Sequence, residues 1–355
     1  MMKFNPGVIE GFFGKPWSWE MRRNYAQFLK NIDYDFYIYA PKADTNLRRN
    51  WRQDWSDDEL RELIYLGDIY HQQGLQWGIG FSPFEIYLNY DSQAIQDLER
   101  KIHYFNHLNL DILAVLFDDM RGDSHDISRI QVDIMHRIAA LSNAKTFIIC
   151  PTYYTDDPIL DKLFGERPDN YLQELGKELD SAIDVFWTGP KVCSKSYPES
   201  HLKEVKERLG RPLFIWDNYP VNDGAKLSLY LHLRAFENRP YQMSEWISGH
   251  AVNPMNQAHL SQIPLMTLTM SYQRRNYYSP SDAFVEAVER LCPAELAHTL
   301  VEDVSLFQDH GLEQLSTNTK QYLIEKYEAF DNPFASEIVQ WLKEEYLFSP
   351  ECLTG

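Results

Sequence analysis

Positive charge is scarce in this 355-residue sequence: 34 Lys and Arg stand against 52 Asp and Glu, a formal net charge of −18. A field of that sign repels phosphate backbones and anionic membrane surfaces, so nucleic acid is not an expected partner. The densest cationic stretch, Arg48, Arg49 and Arg52, is interleaved with Trp51 and Trp55 and is too short to argue a basic groove. Cysteine is equally sparse. Cys150, Cys193, Cys292 and Cys352 lie far apart without a C-x-x-C pair, which excludes a zinc knuckle, a redox motif or a disulfide scaffold and fits a reducing compartment. No stretch approaches the ~18 apolar residues needed to span a bilayer, and the opening Met-Met-Lys-Phe-Asn-Pro-Gly has no apolar signal core. The expectation is a cytoplasmic protein with no membrane partner. Nucleotide-binding loops are missing as well, since Gly78 and Gly80 lack a third glycine and no G-x-x-x-x-G-K-[ST] occurs.

What the sequence does contain is a repeated alternation. Apolar runs at Val8–Phe13, Phe36–Ala40, Trp77–Phe81, Ile112–Phe117, Phe147–Cys150, Val185–Trp187, Leu213–Trp216 and Ile247–Val252 lack clean period-two patterning, as strands buried on both faces do. Between them lie amphipathic stretches with helix-start residues: Ser18 before Trp19–Lys30, Ser56 before Asp57–His71, Ser92 before Ala94–Leu108, and Pro198-Glu199 before Leu202–Leu209. Eight such units imply an α/β fold, a (β/α)8 TIM barrel over residues 1–275. An open doubly wound sheet is the alternative. After Tyr272 only helical patterns follow, at Ser281–Arg290, Pro293–Gln308, Ser316–Ala329 and Pro333–Tyr346, and these are read as a small all-helical appendage over 276–355.

Chemistry in such a barrel sits where strands end, so the polar residues after each run carry the information. Aromatics make up 14% of the chain, enough to supply sugar-stacking faces after most have filled the core. The sharpest item is Asp118-Asp119, directly after Ile112–Phe117. Adjacent carboxylates share a cation, share a proton, or face different groups of one ligand. Side chains alternate along a strand, so both reach one pocket only if the strand kinks at its end. Asp118, Asp119 and Asp123 have a D-D-x-x-x-D spacing like that of a magnesium site, although such clusters belong to all-helical enzymes and this one follows a strand. Neither the ~5 Å opposed pair of ordinary retaining glycosidases nor the wider inverting pair suits neighbouring residues. Substrate-assisted hydrolysis does: the 2-acetamido oxygen of the sugar attacks the anomeric carbon, one carboxylate polarises the acetamide, and the other acts as acid and then base. His103 and His107, four apart on a presumed outer helix, have no H-E-x-x-H context and read as a solvated pair.

Five strings carry a closer likeness. Gly7 to Trp17 (Gly-Val-Ile-Glu-Gly-Phe-Phe-Gly-Lys-Pro-Trp), Tyr39-Ala-Pro-Lys42, Leu116-Phe-Asp-Asp119, Trp187-Thr-Gly-Pro-Lys191 and Ile215-Trp-Asp-Asn218 together resemble the catalytic domain of the O-GlcNAcase family, glycoside hydrolase family 84. The likeness spans roughly residues 7 to 272. It implies that Asp118 orients the acetamido nitrogen, that Asp119 is the general acid/base, and that Tyr154 bonds the attacking acetamido oxygen. It further implies that Asn218 supports the acetamido side, that the Gly11 backbone, Lys42, Asp223 and Asn253 hold sugar hydroxyls, and that Trp216 walls the pocket. The implied activity is retaining exo-β-N-acetylglucosaminidase action on a GlcNAc-containing glycoconjugate or glycan, with no cofactor and no metal. A sugar-binding pseudoenzyme and a hydrolase of another 2-acetamido sugar are the alternatives. Ala43 and Tyr153 replace acidic residues frequent in the family, which bears on substrate fit.

Overall fold

The computed structural model describes residues 5–348. The first four residues of the opening segment, and Cys352, lie outside them. Eight strands form one closed parallel barrel in chain order: β1 (Pro6–Glu10), β2 (Phe36–Tyr39), β3 (Gln76–Phe81), β4 (Ile112–Leu116), β5 (Thr146–Cys150), β6 (Ile183–Trp187), β7 (Leu213–Asp217) and β8 (Ile247–Val252), with β8 pairing back onto β1. Closure excludes the open sheet. All eight strands fall on the apolar runs, and most of their residues are buried because helices cover the outer face. Inside the barrel Phe214 meets Phe36 and Phe186 edge-on at 5.7 and 5.2 Å. Gly7 makes room there, since a Cβ on it would stand 2.2 Å from the Phe36 ring.

The helices begin where short polar side chains can take the free N–H groups of a first turn. Ser18 accepts from Met21 N–H to start Trp19–Asn31, and Ser56 forms a capping box with Glu59 to start Asp57–Gln72. The third cap is displaced by one residue. Asp91, not Ser92, accepts from Gln93 and Ala94 N–H, and Ser92 is already the first residue of Ser92–Phe105. That helix ends at Phe105, so His107 sits in the following Asn106–Leu108 turn and its Nδ1 meets Tyr104 O, which removes the shared helix expected for the two histidines.

Two buried ion pairs fasten strand ends to what surrounds them. Arg22, on the first helix, forks onto Glu10 at 2.8 and 2.7 Å, and Tyr37 O–H adds to the same carboxylate. Arg239 forks onto Asp217 at 2.9 and 2.7 Å, His250 Nε2 lies 3.0 Å from Asp217, and the same guanidinium donates to Ser194 O and Lys195 O.

The C-terminal helices Pro280–Leu291, Ala294–Ser305, Thr317–Glu328 and Pro333–Leu342 pack on the barrel. Hydrogen bonds cross the 275/276 boundary at several points. Gln308 Oε1 accepts Leu233 and Arg234 N–H at 2.8 Å each, Leu231 N–H reaches Phe307 O, and Leu312 N–H reaches Leu229 O. Glu337 accepts His259 and Leu260 N–H at 3.0 and 2.9 Å, capping the helix Ala258–Arg274 from the far end of the chain.

Candidate active site

All nine residues singled out above line one cavity of about 150 Å³ at the C-terminal ends of the strands: Gly11, Lys42, Asp118, Asp119, Tyr154, Trp216, Asn218, Asp223 and Asn253. Each side chain reaches it for a local reason. β4 ends at Leu116, and two residues later the chain turns sharply, with Asp119 in the left-handed region at φ 57°. This is the kink that lets neighbouring carboxylates face the same space. Along β7 the alternation is regular, so Trp216 and Asn218 face the cavity while Asp217 between them turns to Arg239 and His250.

The two aspartates are placed unequally. Asp118 has a side chain only 9% exposed, and its Oδ2 receives the Lys42 ammonium; its Oδ1 is buried with no hydrogen-bond partner. The Asp119 side chain is 30% exposed, and its Oδ2 lies 3.9 Å from Lys42 Nζ. Burial, then the charge of Asp118, hold the Asp119 carboxyl above the usual carboxylate range, against Lys42, Arg48 and a hydrogen bond with Tyr154. One carboxylate is therefore fixed beside a cation while the other is predisposed to carry a proton. Asp223 closes the rim with Oδ2 on Phe13 N–H at 2.9 Å, and burial pushes its carboxyl up to about 6, despite that hydrogen bond.

A chain of amides forms the opposite wall. Asn218 Oδ1 accepts from Trp216 Nε1–H and Asn253 Nδ2–H, both at 3.0 Å, while Asn218 Nδ2–H donates to Val192 O at 2.9 Å; Asn253 Oδ1 in turn accepts Gly11 N–H at 3.1 Å. Asn218 thus spends its amide on holding Trp216 and the β6 loop in place. Gly11 is needed beside it, since a Cβ there would stand 2.5 Å from the Trp216 ring.

Six further lining residues escaped the sequence reading: Phe13, Cys150, Thr188, Val192, Cys193 and Val221. Phe13 and Thr188 stand inside the quoted strings, but small and apolar residues carry no chemical signature of their own. One expectation changes. Tyr153 does not line the cavity; its hydroxyl donates to Gly165 O at 2.7 Å and its ring packs edge-on against Tyr171, so its departure from the family pattern concerns packing rather than substrate fit. Asp123 pairs with Arg121 at 2.8 Å, and no group of three or more His, Cys, Asp or Glu positioned for a metal ion occurs among the described residues.

A family model described as beta-N-acetylglucosaminidase matches residues 6–305. The chain belongs to the β-N-acetylglucosaminidase family. It is similar to the Protein O-GlcNAcase of Rattus norvegicus and of Mus musculus, each 29% identical over 280 residues that cover 76% of this chain and 30% of the relative. The chain therefore spans about 30% of the length of the curated relatives it matches. Among solved structures, a mutant of the Thermobaculum terrenum O-GlcNAc hydrolase superposes with a TM-score of 0.79 at 28% identity, covering 97% of this chain and 81% of that one. β-N-acetylglucosaminidases are glycoside hydrolases, and the cavity described here lies within the matched residues.

Proposed function

We propose that this chain is a retaining exo-β-N-acetylglucosaminidase that removes terminal β-linked GlcNAc from a glycoconjugate by substrate-assisted catalysis. The observation that carries the proposal is the pair Asp118 and Asp119 turned into one cavity, with Asp118 Oδ1 buried and unpartnered. In this reading Asp118 Oδ1 accepts the acetamide N–H, so the acetamide oxygen gains electron density as it attacks the anomeric carbon. Asp119 gives its proton to the linkage oxygen, the aglycone leaves, and an oxazoline remains whose N–H proton is taken by Asp118 and returned when the ring opens. Asp119, now a carboxylate, takes a proton from water as that water opens the oxazoline with net retention. Tyr154 steadies the acetamide oxygen. The backbone of Gly11, with Lys42, Asp223 and Asn253, holds the hydroxyls.

A cytoplasmic setting belongs to the same proposal, supported by the free thiols of Cys150, Cys193 and Cys292.

The test is the acetamide itself. An aryl β-N-acetylglucosaminide should be hydrolysed, the matching glucoside should be turned over poorly or not at all, and successive fluorination of the acetyl methyl should slow the reaction steeply. Equal rates for glucoside and N-acetylglucosaminide would overturn participation.

A further inference from the structure

Five cationic side chains are buried among the described residues: Arg22, Lys42, Arg48, Lys101 and Arg239. Four have an obvious purpose. Arg22 pairs with Glu10, Lys42 with Asp118, Arg239 with Asp217, and Lys101 donates to Gln53 O beside Asp54. Arg48 is the exception. It is 6% exposed, its guanidinium makes no ion pair or hydrogen bond to any described residue, and its Nε is fully buried without a partner. A buried cation without an acceptor is costly, and folded proteins ordinarily pair it.

The surroundings show where the missing acceptor belongs. The guanidinium lies 4.8 Å from the Phe84 ring and 5.7 Å from the Phe13 ring. Aromatic faces attract a cation but take no N–H bond in the guanidinium plane, so the donor edge stays unspent. Phe13 lines the cavity. Phe84 belongs to the loop after β3, where Glu85 N–H meets the sulfur of Met120, the residue next to Asp119. Arg48 therefore stands between the β1 loop and the turn that carries the acid. Its backbone is fixed there: Arg48 N–H bonds Thr45 O at the end of a turn capped by Asp44, whose Oδ2 takes Tyr39 O–H and Trp55 Nε1–H.

We propose that Arg48 is a specificity residue that receives an oxyanion through two of its oxygens on the leaving-group side of the cavity, so that favoured substrates carry a carboxylate or phosphate on the aglycone close to the glycosidic oxygen. The inference rests on the functional reading above, in which Asp119 protonates that oxygen. A guanidinium fork suits such a group because two parallel N–H donors match two oxygens. The arrangement also helps the chemistry in sequence. An anion at Arg48 offsets the cation's pull on the Asp119 proton while the acid waits, and repels the Asp119 carboxylate once the proton has gone, which favours departure of the aglycone.

The experiment compares three aryl β-N-acetylglucosaminides of matched leaving-group acidity that carry, at the same ring position, a carboxamide, a carboxylate or a phosphate. The ratio of kcat/KM for each anionic substrate over the carboxamide is the readout. In the unaltered protein at least one anion should be preferred by about tenfold, the size of one charge-assisted hydrogen bond, and which one identifies the oxyanion. Arg48→Met should bring that ratio to about one, and Arg48→Lys should leave it between the two. Ratios of one or below for both anions in the unaltered protein would overturn the proposal, as would a preference that survives Arg48→Met. If Arg48→Met does not fold, Arg48→Lys and the unaltered protein still decide it. Failure to hydrolyse any of the three substrates would instead count against the glycosidase reading.

Discussion

Asp118 and Asp119 are neighbours in sequence with different electrostatic positions, and that difference separates their mutants. Asp119→Ala removes the proton donor, so substrates with poor leaving groups should lose ~10²–10⁴ in rate while activated aryl glycosides lose far less in the first step. Asp118→Ala removes a contact to the acetamide that strengthens in the transition state whatever departs, so its losses should be similar across substrates. Plots of log kcat/KM against leaving-group pKa check this, steep for Asp119→Ala and flat for Asp118→Ala; the reverse pattern would exchange the roles. Asp223 permits a different measurement. With its carboxyl at about 6 in the folded chain against an ordinary 3.8, the folded state holds this proton more tightly than the unfolded state does. Its contribution to stability therefore falls as pH rises from about 4 to 6 and stays low above that. Asp223→Asn, which keeps an acceptor for Phe13 N–H, should stabilise the protein by up to about 3 kcal/mol at pH 7 and by almost nothing at pH 4, as read by urea unfolding, while weakening sugar binding. Residues of this kind were legible in the sequence because polar groups after apolar runs converge on one barrel face. Arg48 was visible only as part of a cationic stretch, since nothing in a sequence tells a solvated arginine from one enclosed by Phe13 and Phe84.

Strands and helices differed in legibility for physical reasons. The eight strands read cleanly because burial on both faces demands unbroken apolar runs. Caps read well at Ser18 and Ser56 and less well at Asp91-Ser92, where the carboxylate and not the hydroxyl took the N–H groups. The helix Ala258–Arg274 gave no amphipathic signal because it is buried nearly all round between barrel and C-terminal helices. Loop positions depend on ties that no periodicity reveals. Arg239 joins the end of β7 to the loop after β6 through Asp217, Ser194 and Lys195, and so supports the contact between Asn218 and Val192 in one wall of the cavity. Asp217→Asn leaves that guanidinium buried without its counter-charge and should cost about 3–5 kcal/mol, the usual result of halving a buried pair. Urea denaturation checks it: the midpoint should fall with the slope unchanged. A loss below about 1 kcal/mol would mean that His250 or the surrounding carbonyls suffice.

At the scale of the whole molecule, the barrel and the helical appendage were separable in sequence, where the repeating β-units stop near Tyr272. Their interdependence was not, because it consists of backbone N–H groups meeting acceptors far along the chain. The connection from β7 to β8 carries Asn218 and Asp223, two members of the sugar site. Leu231, Leu233 and Arg234 in that connection find their acceptors on Phe307 and Gln308, and the helix that follows β8 is capped by Glu337. These ties order events in time as well as in space. A ribosome delivers Leu233 75 residues before the glutamine that satisfies it. At ~5–20 residues per second that is a wait on the order of 4–15 seconds. Through that interval the nascent chain already displays Gly11, Lys42, both aspartates and Tyr154, while the wall opposite them has nothing to rest on. Sugar-cleaving competence should therefore arrive abruptly, when the segments that carry Gln308 and Glu337 have emerged and not when the eighth strand does.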